Sequence, residues 1–282
     1  MGGVIDRAVV VVAVLIGIMA MIDTLSLSVR TSGALVRRLA MALSLFNLLV
    51  VIGRVSNLIQ APIVGNMVDK TVVPDPLLHQ HLVHLLLLKI HVIILATSIG
   101  TIIGGLLTPS FVRIFSRMIY LFEEVKTLPR VAWMLLNPRR LFSFFSYLTW
   151  PFSKRLWGYF LGLPRIPADF LVFQVLVTAF YTVGVLSTIY AAALEPNLRA
   201  TAVTLSGIVN GIATVLLFIL VDPPGALITD QCINGVRPIE DVKVMNLYLV
   251  IARFLGTIVA QFIIIATAYL VLWAAGIVNR IF

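Results

Sequence analysis

The chain has 282 residues, of which 60% are hydrophobic and 12% charged, with a net charge of +9 and a mean hydropathy of +1.07. A soluble domain carries about 25% charged residues, so this composition excludes a soluble protein and implies a single polytopic membrane domain over residues 1–282. The single cysteine, Cys232, excludes an internal disulfide and a cysteine-based metal site.

Crossing a bilayer takes roughly 20 apolar residues. Six segments reach that length, at about 8–30, 38–62, 88–110, 167–193, 199–221 and 244–275, and predict an all-α integral membrane protein. The first reads as a retained span and not a signal peptide. Arg7 is a weak positive region, no A-x-A site follows, and Asp23 stands where cleavage would fall. Its Asp23, Ser26 and Arg30 share one helix face, with Arg37 and Arg38 just beyond. On the second span Asn47, Arg54 and Asn57 share a face, with Gln60 near it. Ahead of and within the third lie all four histidines, His79, His81, His84 and His91. No carboxylates flank them, so helix-polar or interfacial histidines are expected and no metal site. Gly100/Gly104 and, later, Gly207/Gly211 form GxxxG pairs that permit close helix approach or a homodimer.

The 111–166 connection holds nine Lys/Arg and 14 of the 27 aromatic residues. Its prolines 129, 138, 151 and 164 divide it into short pieces. Trp133, Trp150 and Trp157 suit the headgroup level, and Arg139, Arg140, Lys154 and Arg155 suit anionic lipid. Interfacial helices on the cytoplasmic leaflet are expected there. The turn "LEPNLR" joins the fourth and fifth spans. The fifth carries Asn210, Gly211 and Thr214 on one face, and the sixth Asn246, Arg253, Thr257 and Gln261.

Connections 1–2, 3–4 and 5–6 together hold 14 of the 21 basic residues. By the positive-inside rule they face the cytoplasm, with both termini outside. The acidic 222–243 loop, with Asp222, Asp230, Glu240 and Asp241, runs against this placement. Three spans, a basic linker and three more spans are the arithmetic of a 3+3 inverted repeat.

A charge at the bilayer centre costs about 2.5–3.5 kcal/mol on insertion scales, so such groups face a bundle interior or wet cavity. A single polar residue is explained by helix–helix hydrogen bonding. Four helices each presenting a stripe predict a shared cavity, lined by Ser26, Asn210, Asn246 and Gln261. At 1.5 Å per residue, Asp23 lies about 10 Å and Arg253 roughly 14 Å from the cytoplasmic helix ends. They are expected to neutralise each other. Arg54, about 24 Å up its helix, is left for a substrate, with Asn47 and Asn57 orienting it and Arg30, Arg37 and Arg38 gathering the substrate at the rim. No P-loop, H-E-x-x-H or G-x-S-x-G motif occurs, so neither an enzyme nor a cofactor is expected.

The stretches "MIDTLSLSVR" (21–30) and "RLAMALSLFNLLVVIGRVSNLIQAPIVGNMVD" (38–69), with the six-span layout, resemble the alternate lipid II flippase family, Amj. The resemblance implies translocation of undecaprenyl-diphosphate-linked peptidoglycan precursor from the cytoplasmic to the outer leaflet of a bacterial plasma membrane. It implies lipid II as substrate and a role in cell-wall synthesis. Anionic lipids are the expected surroundings of the basic segments, with no nucleic-acid partner. The residues alone also allow a carrier of small anions or another polyprenyl phosphate, or a non-transport scaffold for envelope enzymes docking through 111–166.

Overall fold

A computed structural model describes residues 3–125 and 166–281; within these, the side chains at 45–46, 48–58 and 121–125 fall outside the description. Among the described residues every regular element is helical. The order is α1 (Arg7–Val36), α2 (Leu39–Asp69), α3 (Pro76–Val125), α4 (Ala168–Leu194), a 3₁₀ turn (Pro196–Leu198), α5 (Arg199–Thr204), α6 (Ser206–Leu216), a π turn (Leu217–Val221), α7 (Asp222–Ile233) and α8 (Ile239–Ile281). Five segments are long and apolar enough to cross a membrane: Arg7–Val36, Pro76–Tyr120, Ala168–Leu194, Pro196–Ile233 and Ile239–Ile281. The second expected span falls within α2, much of which has side chains outside the description.

Local chemistry sets the helix ends. The Asp6 carboxylate accepts from the Val9 amide at 2.9 Å and caps α1. Asp75 accepts from the Leu77 amide at 3.0 Å, and Pro76 follows at the first helical position, where a missing N–H costs nothing. At the end of α1, Arg38 N–H reaches Gly33 O and Arg37 N–H reaches Ala34 O, closing a Schellman turn. The left-handed position of that turn is filled by Arg37, at φ 55°.

Two boundaries differ from the sequence expectation. Residues 111–125 are not detached interfacial pieces but the continuation of α3. Ile114, Phe115, Met118 and Ile119 recur at helical spacing and pack on Val29 and Ala42. The rest of the expected interfacial segment, with Trp133, Arg139, Arg140, Trp150, Lys154, Arg155 and Trp157, lies outside the described residues. Residues 222–233, expected as loop, are helical. Pro223 and Pro224 have no N–H to continue the preceding ladder. The backbone loosens into the π turn and restarts at Asp222, with the prolines in the new first turn where they are tolerated.

α1 packs most extensively on α3, and α4 on α8, so each half pairs its outer spans; α8 also meets α1 and α3. The main buried cluster draws on α1, α2, α3, α4, α5, α6 and α8, and includes the fully buried Val12, Ile90, Ile93, Val183 and Ile264. The α1/α3 contact depends on missing side chains. A Cβ on Gly100 would run into the Gly17 carbonyl, and one on Gly104 would lie 2.8 Å from the Met21 carbonyl. Gly100/Gly104 therefore seats one helix of the chain on another. Gly207 and Gly211 have nothing within 4 Å of such a Cβ.

Polar contacts mark two ends of the bundle. At one, Lys89 bonds Asp6 at 2.6 Å and Arg199 meets Asp69 at 3.0 Å. At the other, Ser32 donates to the Val112 carbonyl at 3.0 Å and Arg30 meets Asp222. Connections 1–2 and 5–6 thus share one end, toward which α3 also runs out, and connections 2–3 and 4–5 share the other.

Gly100→Leu should force α1 and α3 apart and lower stability by about 1–3 kcal/mol, while Gly207→Leu should leave the thermal melting point in detergent nearly unchanged. Equal melting points for the two variants would contradict the packing. Asp6 generates a second expectation. Burial raises its carboxyl pKa, but the Lys89 ammonium and the amides of Val9 and Ala8 outweigh burial and hold it below its ordinary value of 3.8. A carboxyl depressed in the folded state stabilises fully above its unfolded pKa and loses that contribution as pH falls through the folded value. Acidification below about pH 4 should therefore destabilise the native chain more than Asp6→Asn, as read by melting against pH.

Candidate functional site

The polar residues of α1, α4, α7 and α8 meet in the half of the bundle nearer the Arg30–Asp222 end. Asn246 of α8 donates to Thr31 of α1 at 3.0 Å, both buried. Those helices run in opposite directions. Eight residues back along α1 and seven forward along α8 descend about 12 and 10 Å, which brings Asp23 and Arg253 to one depth. Arg253 lies within electrostatic reach of Asp23, Arg30, Tyr181 and Asp222, and of the two carboxylates Asp23 acts on it more strongly. Its Nε is buried and has no hydrogen-bond partner. The four charged groups, Asp23, Asp222, Arg30 and Arg253, sum to formal neutrality.

Arg30 Nη2 donates to Asp222 Oδ1 at 2.5 Å, with both side chains partly exposed. Gly225 leaves room for the guanidinium over α7: a Cβ there would lie on Arg30 Nη1, the movable end of that side chain. Asp222 was missed from the sequence because Pro223 and Pro224 read as the start of a loop. The usable signal was an aspartate closing one apolar run on the same predicted side as an arginine closing another. Tyr181 of α4 shares a 2.8 Å hydrogen bond with Thr214 of α6, outside the four charges.

Other expected cavity residues are brought into helix–helix contacts. Thr257 accepts from Ser98 at 2.9 Å. Gln261 shares a 2.6 Å hydrogen bond with the His91 ring and donates from Nε2 to the His91 carbonyl. Asn210 lies against the Gly184 backbone. Ser26 is buried and donates to the Asp23 carbonyl. The Asn246 Oδ1 is buried without a partner. His79 bonds the Thr71 carbonyl. Arg37 and Arg38 are exposed at the end of α1, and Asn47 is exposed on α2. The side chains of Arg54 and Asn57 lie outside the description.

A helical bundle with apolar membrane-length segments and two arginines facing two aspartates inside it is a multi-pass membrane protein with an internal charged site. The family described as "Amj: Alternate to MurJ" matches residues 15–275, and the chain belongs to that family. It is 36% identical over 253 residues, 89% of this chain and 91% of the relative, to the protein named Lipid II flippase Amj from Bacillus subtilis (strain 168). No solved structure matches the chain.

Arg30→Ala should cost about 1.5–3 kcal/mol, the worth of a hydrogen bond to a charged group, and Gly225→Ala less, because Arg30 Nη1 can move aside. The double variant should cost little more than Arg30→Ala alone, since without the guanidinium an added Cβ displaces nothing. Additive losses in thermal melting would refute the contact between Arg30 and Gly225.

Proposed function

We propose that this protein is a lipid II flippase, carrying the diphosphate-linked sugar–peptide headgroup of the peptidoglycan precursor from the cytoplasmic to the outer leaflet of a bacterial plasma membrane. The observation that carries the proposal is family membership across residues 15–275, with a relative of that name aligned over nearly its whole length. The internal charges support it. Translocating a charged headgroup requires polar groups within the spans, whereas the polyprenyl tail can remain in lipid. Arginine suits this cargo, because its planar fork pairs with phosphate oxygens.

In this reading the basic end of the bundle faces the cytoplasm, where lipid II is made, and its tryptophan- and arginine-rich segment lies on anionic lipid. Arg37 and Arg38 gather the headgroup there, each attracting an anionic group by about 1 kcal/mol at a membrane surface. Arg54, with Asn47 and Asn57, extends the headgroup path along α2. The protein does no covalent chemistry on its cargo.

The decisive experiment makes this chain the sole lipid II flippase in a bacterial strain depleted of all others, and measures lipid II exposure at the cell surface. Exposure and growth should persist with the native chain. Arg37→Ala should reduce exposure modestly, and Arg37→Ala with Arg38→Ala more strongly. No exposure from well-inserted protein would overturn the proposal.

A further inference from the structure

The two described arginines of the charged site are held differently. Arg30 is bonded to Asp222. Arg253 leaves a buried Nε–H unanswered, although other charges surround it. A guanidinium keeps its charge and its five donors at any physiological pH. A buried donor without an acceptor costs about as much as a lost hydrogen bond or more, and an incoming anion removes that cost.

The carboxylate that occupies Arg30 stands at a break in the helical backbone. Asp222 stands where the π turn gives way to α7, just before Pro223 and Pro224. The stretch leading into it, α6 and the π turn, is the least buried of the spans: the apolar window of Pro196–Ile233 is 11% buried, against 33–44% for the other four, whereas α7 itself buries Gly225, Ile228, Thr229 and Cys232. Arg30 and Arg253 sit instead on α1 and α8, which are anchored to each other by Asn246–Thr31. Two cations thus stand on well-packed helices, Asp23 shares α1 with one of them, and Asp222 stands at a backbone break just after the least buried stretch of the bundle.

We propose that Arg30 and Arg253 form a two-arginine clamp for the diphosphate of the lipid-linked substrate, and that Asp222 is the latch this diphosphate displaces. The inference rests on the lipid II reading and assigns the anion to particular residues. A diphosphate offers acceptors on two phosphorus centres, so each arginine can take one. A carboxylate offers acceptors at one centre only. Released from Arg30, Asp222 moves with α7, and the least buried part of the bundle opens beside the clamp. The headgroup enters there while its tail stays in lipid.

The test uses the full chain in nanodiscs of neutral phosphatidylcholine, with farnesyl diphosphate as the probe and equilibrium binding as the readout. Asp222→Asn, which frees Arg30, should tighten binding about tenfold; Arg30→Lys and Arg253→Lys should each weaken it about tenfold, and Arg253→Gln more. Unchanged affinity in folded Asp222→Asn would overturn the latch, and unchanged affinity in folded Arg253→Gln the clamp. Inorganic pyrophosphate should bind far more weakly than farnesyl diphosphate. Equal affinity would overturn a lipid-linked ligand in favour of a free anion. A measurement on the native sequence guards against variants that fail to fold. Cys232 on α7 is buried, so farnesyl diphosphate should speed its labelling by N-ethylmaleimide several-fold. Unchanged or slower labelling would overturn the latch. Native protein that neither binds the probe nor exposes lipid II would sink the flippase reading itself. Binding that ignores every substitution, beside normal lipid II exposure, would remove the clamp alone.

Discussion

A charge inside a bundle that stands in hydrocarbon must be answered from its own chain. Arg253 is the point where this constraint is tightest. Burial removes water from its Nε, while Asp23, Asp222, Arg30 and Tyr181, on three other helices, lie within electrostatic reach of it. Breaking one partner from such a group is costly, because it leaves a buried charge uncompensated. The relative placement of α1, α4, α7 and α8 is therefore tied to electrostatic balance as well as to apolar packing. Balance by four groups is also easier to change than balance by one bonded pair, since an arriving anion can substitute for one carboxylate.

The apolar packing around that site is uneven, and the unevenness has a backbone origin. α1 and α3 approach so closely at Gly17, Gly100 and Gly104 that no side chain fits between them. α4 and α8 bury Gly256 against Thr178 and the Val175 carbonyl. These contacts resist sliding. The segment between the 3₁₀ turn and Ile233 is interrupted at Leu205 and again over Leu217–Val221. Its outward residues Val215, Phe218, Ile219 and Leu227 are exposed, which in a bilayer means facing lipid. Helices associate in lipid through close packing and hydrogen bonds and not through hydrophobic exclusion. The stretch through α6 and the π turn, where Val209, Ala213 and Val221 are the buried residues, has the least close packing of the spans and is the part of the molecule least held.

Polar residues in the spans divide into two kinds. Ser98 with Thr257, His91 with Gln261, Thr31 with Asn246 and Tyr181 with Thr214 answer each other between helices. They fix how far each helix penetrates and how it is rotated. Among the charged residues of the site, Arg30 and Asp222 bond each other, while Arg253 is balanced by charges that leave its Nε unanswered. A stripe of polar residues on one helix therefore reports that a face turns inward. It does not report whether the face meets a partner or a cavity.

The membrane class, the helical spans and the family were legible in the sequence because lipid imposes length and hydropathy directly on the chain. A span has to satisfy its own backbone and present apolar side chains, and both conditions are local. Depth along a span was readable in the same way, because helical rise is constant and the crossings alternate in direction. The partner of Arg30 was not, because Asp222 follows an apolar run and precedes two prolines that read as loop. Only the tertiary structure shows the helix restarting there and turning the carboxylate toward α1. Nor could spacing reveal that Gly100 and Gly104 seat α3 on α1, or that Gln261 meets His91. Which residue lies opposite another across a helix interface depends on the rotation and offset of both helices. Those are set by the packing of the whole bundle and are written in no single segment.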